Sequence, residues 1–458
     1  MREEVGVADK LSGEEIGTAD TFSREEMGIP DKLPYKEIGV ADKFFYYTSS
    51  GEEGSQNIWV SATLNVPFER TAFLEGFQDA LQDYPEFART PVISHNKIFH
   101  KPLNAAAPLV EDEKHRHFAT PETNGYPYLF RRTGNRIVFS FYHGISDVDG
   151  CWKFFMCVLE HYAKRIGYLR IGYLTERDYD QTNTRENDPY RFFADKNATP
   201  PAKLYAGPLF IIPEKRRNEN VIKTTTVTCS LEELLSLTKS FKTSVAPFIM
   251  NAFIQAIAKT YDVGDETIVG MVAANLRQFF PTQTLRNFSD ALIMTSLDTE
   301  EQTTYAKQAQ ALRDVMKKQM SPNQFAHGFY DRVLWIEEQE ASSTPLADLA
   351  KRYEQALISD KNPPFTFGLS YPGKLEPPET LRDLIAKTGF GGNTGLLYAA
   401  GFHSYNDTFS LGISQRFESM KLTEMIITEL CEAGLTLTKP LISETVADCL
   451  LTEELPHV

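Results

Sequence analysis

RIVFSFYHGISDVDGCWKFFMCVLEHY, residues 136–162, is the stretch on which the reading of the chain turns. Its first seven residues, Arg136–Tyr142, are rich in aromatic and β-branched side chains, the composition of a strand. Residues 150–164 carry Trp152, Phe154, Phe155, Val158 and Leu159, which predicts a strongly apolar helix. Between strand and helix lies Tyr142-His143-Gly144-Ile145-Ser146-Asp147-Val148-Asp149-Gly150. An imidazole titrates near neutral pH, and a tight loop at a strand end presents it to a cleft, which suits general-base chemistry. His-x-x-x-Asp also arises by chance, and a histidine beside a core strand more often serves packing. The rest of the chain has to decide between the two.

Upstream, residues 128–132 form a second strand-like run, joined to the first by the hairpin signal Thr133-Gly134-Asn135. Asn57–Leu64 has strand composition, and residues 69–83 place Phe73, Phe77 and Leu81 at helical spacing before Pro85. Residues 175–220 turn polar and proline-bearing, a crossover between two halves. The second half opens with a strand over 221–229 and a helix over 244–261, whose first turn tolerates Pro247 because its early amides lack intrahelical partners. Strands over 267–274 and 290–296, helices over 303–320 and 345–358, a strand over 409–417 and a helix over Lys421–Glu432 complete it. The alternation predicts an α+β fold, a mixed α/β sandwich in two comparable halves.

Residues 136–162 resemble the active-site segment of the chloramphenicol acetyltransferase-like superfamily, which includes alcohol acyltransferases, plant hydroxycinnamoyl-type acyltransferases and peptide-synthetase condensation domains. Its signature is His-x-x-x-Asp-Gly, often preceded by a further histidine. Here Tyr142 stands in place of that histidine, Val148 follows the aspartate, and Gly150 comes two residues later. Three further segments resemble the superfamily in the expected order: FLEGFQDALQDYPEFA (73–88), VAANLRQFFPTQTLRNF (272–288) and FTFGLSYPGKLEPPETLRD (365–383). LGISQRFES (411–419) is similar as well. The likeness spans roughly residues 37–435 and is nearest to bacterial alcohol acetyltransferase-like proteins.

The resemblance implies a two-lobed fold with an active-site channel between the lobes. It divides the chain into a repeat tail (1–36), an N-terminal lobe carrying His143 (37–175), a linker (176–220) and a C-terminal lobe (221–458). It also implies an acyl-CoA-dependent acyltransferase, with acetyl-CoA the expected donor and the hydroxyl, or amine, of a small molecule the acceptor. His143 would take the acceptor's proton. Asp147 would point away from the substrate and hold the loop through an arginine, for which Arg277 at a strand end is the candidate. Gly150 would support the loop, and Ser370 and the Gly373 turn would line the tunnel, Ser370 with an oxyanion role or as a simple turn serine. No bound cofactor or metal is implied. Two rivals remain: a condensation-type enzyme drawing on a carrier-protein thioester, and a degenerate binding module, which Tyr142 and Val148 would fit.

Composition sets the outer limits. Hydrophobic residues are 42% and charged residues 24% of 458, as in a globular protein large enough for two lobes. With 47 basic against 62 acidic residues the net charge is −15, which disfavours general nucleic-acid binding. The sequence has no long apolar run for a spanning helix and no signal-peptide pattern at its start, and its five scattered cysteines lack CxxC spacing, so a cytoplasmic protein with reduced thiols is expected. An 11-residue repeat begins at Glu3, Glu14, Glu25 and Lys36. Gly6, Gly17, Gly28, Gly39 and Pro30 argue against a coiled coil, and the first three copies are expected to be a loosely ordered tail. His115-Arg116-His117 sits in a charged stretch and, as a metal pair, lacks a third ligand in sequence. The run GFGGNTG (389–395) has neither the spacing nor the strand–helix frame of a phosphate loop, and no GxSxG elbow occurs.

Overall fold

A computed structural model describes residues 36–51, 56–169, 188–201, 207–217, 221–295, 304–342, 344–358, 365–393, 396–446 and 448–458. The first three repeat copies and much of the linker lie outside these. The chain enters through β1 (Lys36–Glu37) and α1 (Val40–Thr48), then runs through β2 (Asn57–Leu64), α2 (Arg70–Asp83), β3 (Arg89–Ser94), β4 (Lys97–Pro102), β5 (Leu109–Val110), β6 (Tyr128–Thr133), β7 (Arg136–Tyr142) and α3 (Val148–Arg165). After α4 (Pro189–Phe193) come β8 (Val221–Ser230), α5 (Leu231–Ser240), α6 (Val245–Thr260), β9 (Val269–Asn275) and β10 (Ser289–Thr295). Three helices follow: α7 (Tyr305–Gln319), α8 (Pro322–Ala341) and α9 (Leu346–Ile358). The chain finishes with β11 (Phe367–Lys374), β12 (Ile385–Asn393), β13 (Tyr398–Tyr405), β14 (Thr408–Gln415), α10 (Lys421–Glu432) and β15 (Leu441–Val446).

The first lobe is a five-stranded sheet, β12-β2-β7-β6-β5, with α2 and α3 against it. The helices supply Phe73, Phe77, Phe154 and Phe155 to one face, the sheet supplies Phe130, Phe139 and Phe141, and all seven are buried. Aromatic side chains of this size dominate core energetics, so truncating one to alanine costs about 3–5 kcal/mol. The helices approach closely at Gly76, where a Cβ would stand 2.8 Å from the backbone nitrogen of Tyr162. A small sheet, β1-β4-β3, buries Ile93 and Ile98 in the other core, that of the second lobe.

The second lobe is a seven-stranded sheet, β10-β9-β11-β13-β14-β8-β15, in which β11 runs parallel to both β9 and β13. The helix α6 buries Val245, Phe248, Ile249, Ala252, Phe253 and Ile257 in its core. That near-continuous apolar surface is what a helix enclosed by a sheet and other helices requires.

The division of the chain at 176–220 does not divide the sheets. β12, far along the second half, pairs antiparallel with β2 along its length, Phe390 opposite Val60. Leu375, Leu381, Leu384 and Ile385 join the first lobe's core. In the other direction α1 buries Val40, Tyr46 and Tyr47 in the core of the second lobe, and its Lys43 is buried between Glu340 (2.6 Å) and Glu37 (2.8 Å). The expected assignment of 221–458 to one lobe is therefore corrected: each lobe borrows an element from the other half. Among the described residues no helix is long and apolar enough to cross a membrane.

Candidate active site

The last residue of β7 explains the first departure from the signature. Tyr142 is fully buried and its hydroxyl donates to the carbonyl of Phe45 at 2.7 Å, so it anchors α1 to the first lobe. The His143 amide then donates to Gln56 O at 2.8 Å, one step beyond the β2–β7 pairing, and the chain turns away. The ring of His143 is half-buried, with its Nδ1 shut off from solvent. Phe45 stacks on one face, centroids 4.0 Å apart and planes at 14°. Burial dominates the electrostatics and lowers the imidazole pKa, against the opposing pull of nearby backbone groups, the Asp147 carboxylate and Asn287. A histidine so placed is a neutral ring at pH 7.

Asp147 is the N-cap of α3, its Oδ1 accepting the Gly150 amide at 3.1 Å. Its other oxygen faces the second lobe, accepting from Arg277 Nη1 at 2.7 Å and from the Phe288 amide at 2.9 Å. Burial alone would raise the carboxyl pKa; the Arg277 charge and these hydrogen bonds together hold it below the usual range. Arg277 is fixed in turn by Thr284 O (3.0 Å), Arg286 O (2.8 Å) and Asp149 (3.4 Å). The aspartate thus points away from His143 and fastens the loop across the lobe boundary. The second departure is also accounted for, because Val148 occupies the first helical position, where any residue fits the backbone. Gly150 is required by space: a Cβ there would overlap Ser146 Oγ and the carbonyl of Leu285, to which Ser146 Oγ donates.

Reasoning from sequence missed three contributors. Asn287 Nδ2 donates at 2.7 Å both to the carbonyl of His143 and to Asp42 Oδ1, tying the histidine's backbone to the second lobe. Asp42, on α1, is buried, and burial pushes its carboxyl up to about 7 despite Arg286 and Asn287 beside it. Phe45 is the third. Asp42 and Phe45 belong to the fourth repeat copy, so the signal was present as a repeated Gly-x-x-Asp without anything to say that the last copy forms a wall of the site.

Ser370 and Gly373 belong to β11. Ser370 is not a turn serine; it is paired within β11, opposite Ala273 on β9 and Gly401 on β13. Gly373 has φ +83° and follows a break in register, a conformation that favours glycine. Among the described residues no hydrogen bond joins either of them to the His143 loop. Beside the loop, however, is a small cleft lined by Ile145, Leu285, Phe87 and His100, by the acidic Asp42 and Glu86, and by the basic Lys36, Arg89 and Arg286. Burial and the charges of Arg89 and Arg286 push the Lys36 ammonium down to about 8.

No protein-family model and no curated protein matches the chain. Solved structures do. Fusarium graminearum TRI101 complexed with coenzyme A and deoxynivalenol superposes with a TM-score of 0.59 at 11% identity, covering 87% of this chain and 97% of that one. Polyketide synthase associated protein 5 from Mycobacterium tuberculosis gives 0.54 at 12%, covering 86% and 97%. The epimerization domain of the third module of tyrocidine synthetase B gives 0.54 at 12%, covering 87% and 96%. The fold is the two-lobed one shared by chloramphenicol acetyltransferase-like proteins and condensation domains.

Proposed function

We propose that the chain is an acyltransferase that moves an acyl group from acyl-CoA to the hydroxyl of a small-molecule acceptor, with His143 as general base. The observation that carries this reading is the neutral imidazole of His143 held at the lobe boundary by a loop that Asp147 and Arg277 lock from behind. In the proposed reaction Nε2 takes the acceptor's proton as its oxygen attacks the thioester carbonyl. The tetrahedral intermediate collapses by breaking the carbon–sulfur bond, and the imidazolium returns the proton to the leaving thiolate. Positioning and a base suffice for such a transfer. Ser370 remains the candidate for oxyanion support.

Two further observations support a CoA donor. A structural neighbour is described with coenzyme A bound. Beside the loop, Lys36, Arg89 and Arg286 outnumber Asp42 and Glu86 in the lining of the cleft, a balance of charge that favours an anionic donor. A carrier-protein thioester is the second reading, favoured by the likeness to a peptide-synthetase epimerization domain. The test is release of free thiol from acetyl-CoA and longer acyl-CoAs, with a panel of small alcohols and amines. Thiol release that needs both acceptor and His143 supports the first reading. Turnover only with an acyl-carrier protein supports the second, and none with any donor would leave a binding module.

A further inference from the structure

The last eleven residues pack against residues 115–118 and against Arg131 of β6. The Arg116 amide donates to Asp448 Oδ1 at 2.9 Å, and Arg131 pairs with the same carboxylate. The Phe118 amide donates to Cys449 O at 2.7 Å and the Cys449 amide to Arg116 O at 3.2 Å, a parallel bridge that sets Cys449 beside His117. The pairing supplies the third ligand that the sequence lacked. One nitrogen from each of His115 and His117 and the buried Cys449 sulfur lie within 4.8 Å of one another.

We propose that His115, His117 and Cys449 bind a zinc ion. The spacing fits: bonds of about 2.3 Å to sulfur and 2.0–2.1 Å to nitrogen at tetrahedral angles set an S···N separation of about 3.6 Å. Cys449 Sγ lies 3.6 Å from His115 Nε2. Donor chemistry fits as well, since thiolate with imidazole selects zinc over hard cations. Glu454 completes the arrangement, its carboxylate oxygens 2.9 and 3.0 Å from His117 Nδ1. A carboxylate on one ring nitrogen orients a metal-binding histidine and leaves Nε2 as the donor atom. Solvent takes the fourth position. A second grouping, Asp83, Cys157 and His161, fits less well: His161 Nε2 and Asp83 Oδ2 are 2.7 Å apart, closer than two ligands of one tetrahedral zinc.

The ion is a staple in this account. It joins residues 115–117 to 449, and the same C-terminal segment bonds Gly51 through Leu450 O (2.8 Å) and Ser50 through Thr452, just beyond α1. The test uses the reduced full chain, stripped with chelator and titrated with cobalt(II) and then zinc. One cobalt per chain should bind with a thiolate-to-cobalt charge-transfer band, zinc should displace it, and zinc should raise the melting temperature. C449S should abolish the band and weaken zinc about 100-fold or more. H115Q, at a half-buried position, should also weaken zinc about 100-fold, and E454Q should weaken it about 10–100-fold while keeping the band. Stoichiometric zinc binding left unchanged by C449S and H115Q, or a folded wild-type chain that binds neither metal, overturns the proposal.

Discussion

Replacing Asp147 by asparagine keeps the shape of the side chain and removes its charge. In the native protein that carboxylate is 5% exposed and accepts from Arg277, the Phe288 amide and the Gly150 amide. Asparagine can retain one or two of these contacts but leaves the Arg277 guanidinium without its main counter-charge. Breaking a buried pair by removing one partner costs about 3–5 kcal/mol. Asp149, 3.4 Å from Arg277 Nε, still faces the cation and puts Asp147→Asn toward the lower end. At about 2.1 cal/mol/K per residue, unfolding 458 residues carries about 1 kcal/mol/K, so the melting temperature should fall by roughly 3–5 °C. Arg277→Met should cost more, because Thr284 O and Arg286 O lose their donor too. The double variant should be less destabilised than the sum, since neither charge is then left alone. Denaturant unfolding of the four proteins measures this. Additive effects within about 0.5 kcal/mol would refute the claim that the pair locks the loop.

Three other outcomes are expected. Gly150→Ala should destabilise by about 1–3 kcal/mol and cut turnover, because the backbone carbonyl of Leu285 cannot move aside for a Cβ; an unaffected variant would show that the loop is not tightly packed. The rate profile should be flat above pH 6.5 and fall below it, since burial lowers the pKa of His143; an inflection above the ordinary histidine value would contradict a neutral base. Asp42 has a folded pKa near 7, raised above its unfolded value, so its contribution to stability is complete below about pH 4 and is lost as pH rises through 7. Asp42→Asn should therefore lose stability less steeply than the native chain over that interval, and equal slopes would show that the carboxyl is not perturbed.

Local pattern located much of this in advance. The aromatic and β-branched run at 136–142 and the apolar helix after it coincide with β7 and α3, because the residues that fill the first lobe's core are concentrated in those two stretches. The resemblance calls for an arginine behind Asp147, the apolar strand end singles out Arg277, and Arg277 lies 2.7 Å away. What was not legible is long-range. β12 reads as a glycine-rich run, and only its pairing with β2 gives Gly389 and Gly391 a purpose, leaving room for Trp59. Helix α1 looks like a lead-in because its aromatic side chains pack on α8 and α9, from the other half of the chain. The third ligand of the proposed zinc site was invisible for the same reason, with Cys449 more than three hundred residues from His117 in sequence.

The central claim rests on one imidazole. The most direct measurement is CoA release by the native chain and by His143→Ala, with acyl-CoA and an accepted alcohol, alongside their melting temperatures. The account predicts a rate lowered by about 10² to 10⁴. It also predicts a stability change within about 1.5 kcal/mol, because the half-buried ring forfeits little beyond its stacking on Phe45. A His143→Ala protein that transfers acyl groups at the native rate would contradict it.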